Sequence, residues 1–280
     1  MPTYLRCLYL FSILVFSGTS GCAPLNLAKL TDNLNRQTDL DLVCEGAPAY
    51  LLLLDSLLAS DPDNPKLLLG GILAYTSYAG AVGECAHPER AAAMGVKARD
   101  YGLALLRKET GITPEMSFPE LETALAKAGK DEVGPLFWGA YGWALWVSQQ
   151  DGSPAALAEL PKIESVMKRV IALDDTFSRG GAHLFLGIYN GARPTLYGGN
   201  PELARQHFEK ALALNNRAFL PVQVAYAEYY AKPQFDRELY QKLLEEVLAF
   251  APTAVPELTL SNLVAQHHAR RLLEKIDEYF

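Results

Sequence analysis

Apolar residues recur along this chain at helical spacing, and strand-like alternation is scarce. Between Pro201 and Leu214, the residues Leu203, Ala204, Phe208, Ala211, Leu212 and Leu214 fall mostly on one face of a helix. Asn64-Pro65, Ser153-Pro154 and Asn200-Pro201 each place a helix-capping side chain before a proline at the first helical position, where a backbone N–H is not needed. The pattern predicts an almost entirely α-helical protein.

The spacing also repeats. Ala204, Phe208 and Ala211 stand at offsets 0, +4 and +7, as do Tyr50, Leu54 and Leu57, followed by Pro62, and Tyr240, Leu244 and Val247, followed by Pro252. Lys97, Tyr101 and Ala104, and Ile163, Met167 and Val170, are looser copies. Preceding helices align through Trp138, Tyr141, Gly142 and Leu145, then His183, Leu186, Gly187 and Asn190, then Val222, Ala225, Tyr226 and Tyr229. This is the signature of tetratricopeptide helix pairs. Equivalent positions Ala104, Val170, Ala211 and Val247 are 66, 41 and 36 residues apart, against about 34 in the regular repeat. The expected fold is therefore all-α, a tetratricopeptide-like array of degenerate, interrupted repeats. Insertions fall at residues 107–135, with a short helix from Pro119 to Lys127, between the Trp138 and Ile163 helices, and at 193–199. A single pair would leave an apolar face wet, so the pairs must stack, with the segments at 25–59 and 256–280 as helical caps.

The N-terminus changes the picture of where the protein works. Arg6, the apolar run from Cys7 to Phe16 and the small residues Thr19-Ser20-Gly21 before Cys22 read as a cleaved lipoprotein signal over 1–21. Cys22 is then the acylated first residue of a single helical domain at 22–280. Ordinary secretion with cleavage nearby is the other reading. Ala23, where an Asp would retain a lipoprotein at the inner membrane, favours the periplasmic face of the outer membrane in a two-membrane organism. No later stretch reaches the roughly 20 apolar residues needed to span a bilayer. The chain carries 25 Lys and Arg against 32 Asp and Glu, a net charge of −7, which argues against a nucleic-acid partner. Cys44 and Cys85 remain once Cys7 and Cys22 are set aside, and either pair in an oxidising compartment or stay as two buried thiols.

No catalytic chemistry emerges. His87, His183, His207, His267 and His268 lack metal-ligand spacing and are expected as surface or capping side chains. Gly70-Gly71, Gly180-Gly181 and Gly198-Gly199 lack a phosphate-binding sequel and suit close helix packing or tight turns. With neither a nucleophile elbow nor an acid/base pair, neither enzyme activity, a cofactor nor a metal is expected. In a repeat array the first helices line the concave face, and here that mapping gives an apolar set that includes Trp143, Trp146, Ile188 and Tyr230. Such a concavity is either buried as core or holds an apolar ligand. The loop after Gly187 adds Tyr189, Arg193 and Tyr197 as candidate lining; alternatively, Arg193 caps the carbonyls of the helix before it.

The signal ending at Cys22, the Trp138 helix, the Gly187–Pro194 loop, the Pro201–Leu214 helix and the ending from Leu260 to Phe280 together resemble the T component of tripartite ATP-independent periplasmic (TRAP) transporters, the TatT-like lipoproteins. The stretch from Gly180 through Tyr230 is the most specific part. The resemblance implies an accessory lipoprotein that associates with the solute-binding P component and forms oligomers, trimers in particular. It also implies passage of an apolar or amphipathic small molecule. A repeat scaffold for envelope or secretion-system assembly, binding a protein segment in its groove, is the alternative.

Overall fold

The computed structural model describes residues 27–280 apart from 82, 84 and 86, and among these there is helix but no strand. The signal segment and Cys22 lie outside the described residues. The helices are α1 (Leu27–Asn35), α2 (Leu40–Ser60), α3 (Pro65–Ala81), α4 (Ala91–Thr110), α5 (Phe118–Lys127), α6 (Val133–Ser148), the single turn α7 (Pro154–Leu157), α8 (Leu160–Leu173), α9 (Phe177–Gly191), α10 (Pro201–Leu214), α11 (Pro221–Tyr226), α12 (Arg237–Ala249), α13 (Thr259–Glu274) and α14 (Ile276–Tyr279). Local chemistry sets many of these starts. Asn64 Oδ1 accepts from the Lys66 N–H at 3.0 Å, and Asn200 Oδ1 from that of Leu203 at 3.0 Å, each ahead of its proline. Asp39 and Asp236 cap α2 and α12 in the same way. A capping box between Ser117 and Glu120 opens the inserted α5.

Successive helices pack as neighbours through α2, α3, α4, α6, α8, α9, α10, α11, α12 and α13, while α5 rests on α8. The helices α4 and α6 approach closely. There Gly102, Gly139 and Gly142 remove the side chains that would hold the axes apart, and a Cβ at Gly142 would lie 2.3 Å from the Ala98 carbonyl oxygen. One core gathers Leu106, Phe137, Trp143, Ile163, Met167 and Leu186 from α4 to α9. Another gathers Phe208, Tyr226, Tyr240, Leu244 and Val247 from α10 to α13.

Two features depart from the sequence reading. The helix α2 has 21 residues and is by length and composition apolar enough to cross a membrane, although Asp41, Glu45 and Asp55 interrupt its apolar run. One side, through Val43, Ala47, Leu51, Leu54 and Leu58, is nevertheless core, while Leu42 and Leu52 are exposed. Asp55 ties this helix inward: it accepts from Tyr75 Oη at 2.9 Å and from Tyr101 Oη, and pairs with Lys97 at 3.1 Å. Desolvation pushes the Asp55 carboxyl upward, but these three donors outweigh it and hold it below the usual carboxylate range. Secondly, the two terminal segments expected as caps meet each other. The helix α13 packs on α1 and α3, and Leu260 enters a shallow apolar seam with Leu34, Val43, Ala47, Tyr78 and Ala81. Each segment has an apolar side that its own neighbour leaves uncovered, and the two cover each other. Beside the seam, Cys44 and Cys85 are joined as a disulfide with Cα atoms 5.3 Å apart.

Candidate functional site

The stretch from α9 to α11 was the most distinctive in sequence, and its geometry is specific. At Gly187 a Cβ would meet the Phe208 ring at 2.9 Å, and at Gly191 one would lie 2.2 Å from the Tyr229 carbonyl oxygen. The helix α9 is thereby clamped between α10 and the segment after α11, where Ala227–Ala231 forms a π-helix. A π-helical turn shifts the helix register and often marks a functional position.

The residues expected to line one concavity are placed in separate environments. Trp143 is fully buried in the core between α4 and α8, its Nε1 without a hydrogen-bond partner. Trp146 is half-buried, with the Arg99 guanidinium 4.4 Å from its ring. Ile188 and Tyr230 pack against the other core. Tyr189 is buried and donates to Glu164 Oε2 at 2.9 Å; burial first, then the carboxylate, push its phenol up to about 12. Arg193 folds back, its Nε donating to the Tyr189 carbonyl at 2.9 Å and its guanidinium lying 3.6 Å from the Tyr189 ring centre. Tyr197 points to solvent, 73% exposed. Mapping by repeat position presumes a uniform superhelix, whereas the connections between α4 and α9 are interrupted and Trp143 packs into the core with Leu106, Ile163 and Met167.

Sequence reasoning missed a histidine pair. His183 on α9 was expected at the surface, yet it is only 7% exposed, and its Nδ1 lies 2.9 Å from Nδ1 of His207 on α10. The available signal was its register, since it shares the inward face of α9 with Leu186 and Asn190. Burial, then the neighbouring imidazole, lower the His183 pKa to about 4, with Asp175 opposing and Lys210 adding to the fall; burial and Lys168 lower that of His207. Because the folded state holds His183 neutral while the unfolded chain protonates near 6.5, its stabilising contribution is complete above pH 6.5 and is lost as pH falls toward 4. Denaturant midpoints measured from pH 7 to pH 4.5 should fall, and His183→Gln should flatten that fall; an unchanged slope would remove this account.

A second polar cluster lies in a cleft of about 380 Å³ between α10 and α12. Arg217 donates from Nε and Nη2 to the two Glu246 carboxylate oxygens, each at 2.5 Å, and Tyr226 Oη donates to Glu209 at 3.0 Å. The Arg217 guanidinium holds the Glu246 carboxyl below its ordinary range. These groups satisfy one another, so the cluster reads as a strap joining two helix pairs.

Comparison with known proteins bears on the whole body. A family model described as TRAP transporter T-component matches residues 36–280. An uncharacterized protein of Treponema pallidum (strain Nichols) is 24% identical over 276 residues, covering 92% of this chain and 85% of that one.

Proposed function

Since the chain belongs to the TRAP transporter T-component family, a family of transporter accessory subunits located with a bacterial membrane, we propose that it docks the solute-binding P component of such a transporter. The carrying observation is that the family match spans nearly the entire helical body, so the resemblance rests on more than a common repeat. In this reading consecutive packed helices form degenerate tetratricopeptide units, Cys22 carries the acyl anchor at a periplasmic membrane face, and the subunit assembles as a trimer. Co-purification with the solute-binding component of the same organism tests the docking; no association with or without solute would sink it. Mass spectrometry of the mature N-terminus tests the anchor, and sedimentation the trimer.

A ligand reading is supported by a different feature. The seam where Leu260 meets Leu34, Val43, Ala47, Tyr78 and Ala81 is almost wholly apolar, and α1, which covers it, has no fully buried side chain among its described residues. We assign the passage of an apolar or amphipathic molecule to this seam, opened by displacement of α1, rather than to the dispersed Trp143–Tyr230 set. Leu260→Arg should then abolish binding of a fluorescent fatty acid while Trp146→Ala leaves it unchanged. The reverse pattern would return the site to the aromatic residues.

A further inference from the structure

Leu196, Phe235 and Tyr197 are the three most exposed large hydrophobic residues among those described, at 85%, 79% and 73%. They stand on two connections, α9 to α10 and α11 to α12, that emerge at the same end of neighbouring helix pairs, because Gly191 abuts the Tyr229 carbonyl. We propose that this edge is where a protein partner seats, with the three side chains as its apolar anchors and Arg193 and Lys232 as its cationic rim.

Both connections are built to hold their side chains out. In the first, the Tyr197 and Gly199 N–H groups donate to the Pro194 carbonyl at 2.9 and 3.1 Å, and Asn200 N–H donates to the Asn190 carbonyl at 2.9 Å. A Cβ at Gly199 would sit 1.8 Å from the Arg193 carbonyl oxygen, so the tight return requires glycine. In the second, Phe235 N–H donates to Lys232 and Asp236 N–H to Ala231, at 3.0 and 2.9 Å, directly after the π-helix. Phe235 has φ of 55°, a left-handed conformation unfavourable for a bulky residue, and packs little within the chain in return. An aromatic that costs both conformational strain and exposure is best explained by a contact outside the chain.

The position and charge of the edge select a protein over a lipid surface. The salt bridge from Arg237 to Asp277 and the stacking of Lys232 on Tyr279 place the Phe235 turn beside the chain end that follows α13. Leu260, near the start of α13, lies in the seam with Leu34 of α1. The 16 residues of α13 separate these ends by about 24 Å. A chain tethered ahead of α1 therefore presents this edge away from the tether. Arg193 lies over the Tyr189 ring on one connection and Lys232 over the Tyr279 ring beside the other, and in a chain of net charge −7 two cations flanking the exposed apolar side chains favour an apolar recess with an acidic rim.

This inference rests on the docking reading above and names its surface. Titration of the purified P component of the same organism's transporter onto the full mature protein should show affinity about tenfold or more weaker for Leu196→Asn/Tyr197→Asn and for Phe235→Asn. Asparagine tolerates positive φ, so Phe235→Asn should retain or raise thermal stability while losing affinity. Leu52→Gln on the outer face of α2 should bind as the parent does. If the parent protein binds nothing, the docking reading fails and this surface with it. If the parent and edge variants bind equally, only this surface is refuted. It is likewise refuted if the variants instead dissociate an oligomer, or abolish flotation of the protein with phosphatidylethanolamine/phosphatidylglycerol vesicles while leaving P-component affinity intact.

Discussion

Replacing both Cys44 and Cys85 with alanine is expected to lower unfolding stability by about 4 kcal/mol, the chain-entropy value for releasing a loop of this size. The bond spans 41 positions of sequence and closes the α2–α3 hairpin at the end where α2 begins and α3 finishes. That end also forms the wall of the seam that receives Leu260. Loss of the bond should therefore loosen more than the hairpin, because α1 and α13 pack on the same wall. Urea denaturation of the double variant, beside the parent with and without reductant, gives the magnitude. A loss below about 1 kcal/mol would mean that the unfolded chain is already compact there, or that packing alone holds the hairpin. Hydrogen exchange should show the added opening concentrated in α1 to α3.

The second large effect is expected where no side chain exists. Gly142→Ala places a methyl 2.3 Å from the Ala98 carbonyl oxygen, which belongs to the backbone of α4 and cannot rotate away. The better helix propensity of alanine, about 1 kcal/mol, opposes an overpacking cost of about 3 kcal/mol or more. The net result should be a loss of about 2 kcal/mol or more, with separation of α4 from α6. Gly46→Ala on α2 supplies the contrast, since an added Cβ there meets nothing within 4 Å. That substitution should raise stability by about 0.5–1 kcal/mol. Thermal melts of the two variants should move in opposite directions; parallel shifts would show that propensity, not helix approach, dominates at these glycines.

Much of the architecture was legible from short-range pattern. The asparagines at 64 and 200 cap the helices expected of them, and the inserted helix expected from Pro119 to Lys127 is found at Phe118–Lys127. These features depend on backbone groups within one turn, so residue order is enough. Ser153 illustrates the limit: it precedes a proline as expected, but its side chain makes no cap and the following helix is one turn long. The site was less legible. Which way Trp143 faces depends on how α6 packs among its neighbours across interrupted connections, and periodicity carries no information about that packing. Arg193 folds onto Tyr189 because the tight return at Gly198-Gly199 brings the chain back over the end of α9, and a residue-type argument left that outcome beside its alternative.

By itself, the sequence determined that the described body is helical, where several of its helices start, and which family it resembles, because caps, prolines and 3.6-residue periodicity act locally. Tertiary structure decided what those helices conceal and display. It buried His183 against His207, joined the first and last segments through Leu260, and left Leu196, Tyr197 and Phe235 in water. Burial is a property of two faces that meet, and residues far apart in the chain meet only once every connection has set its angle.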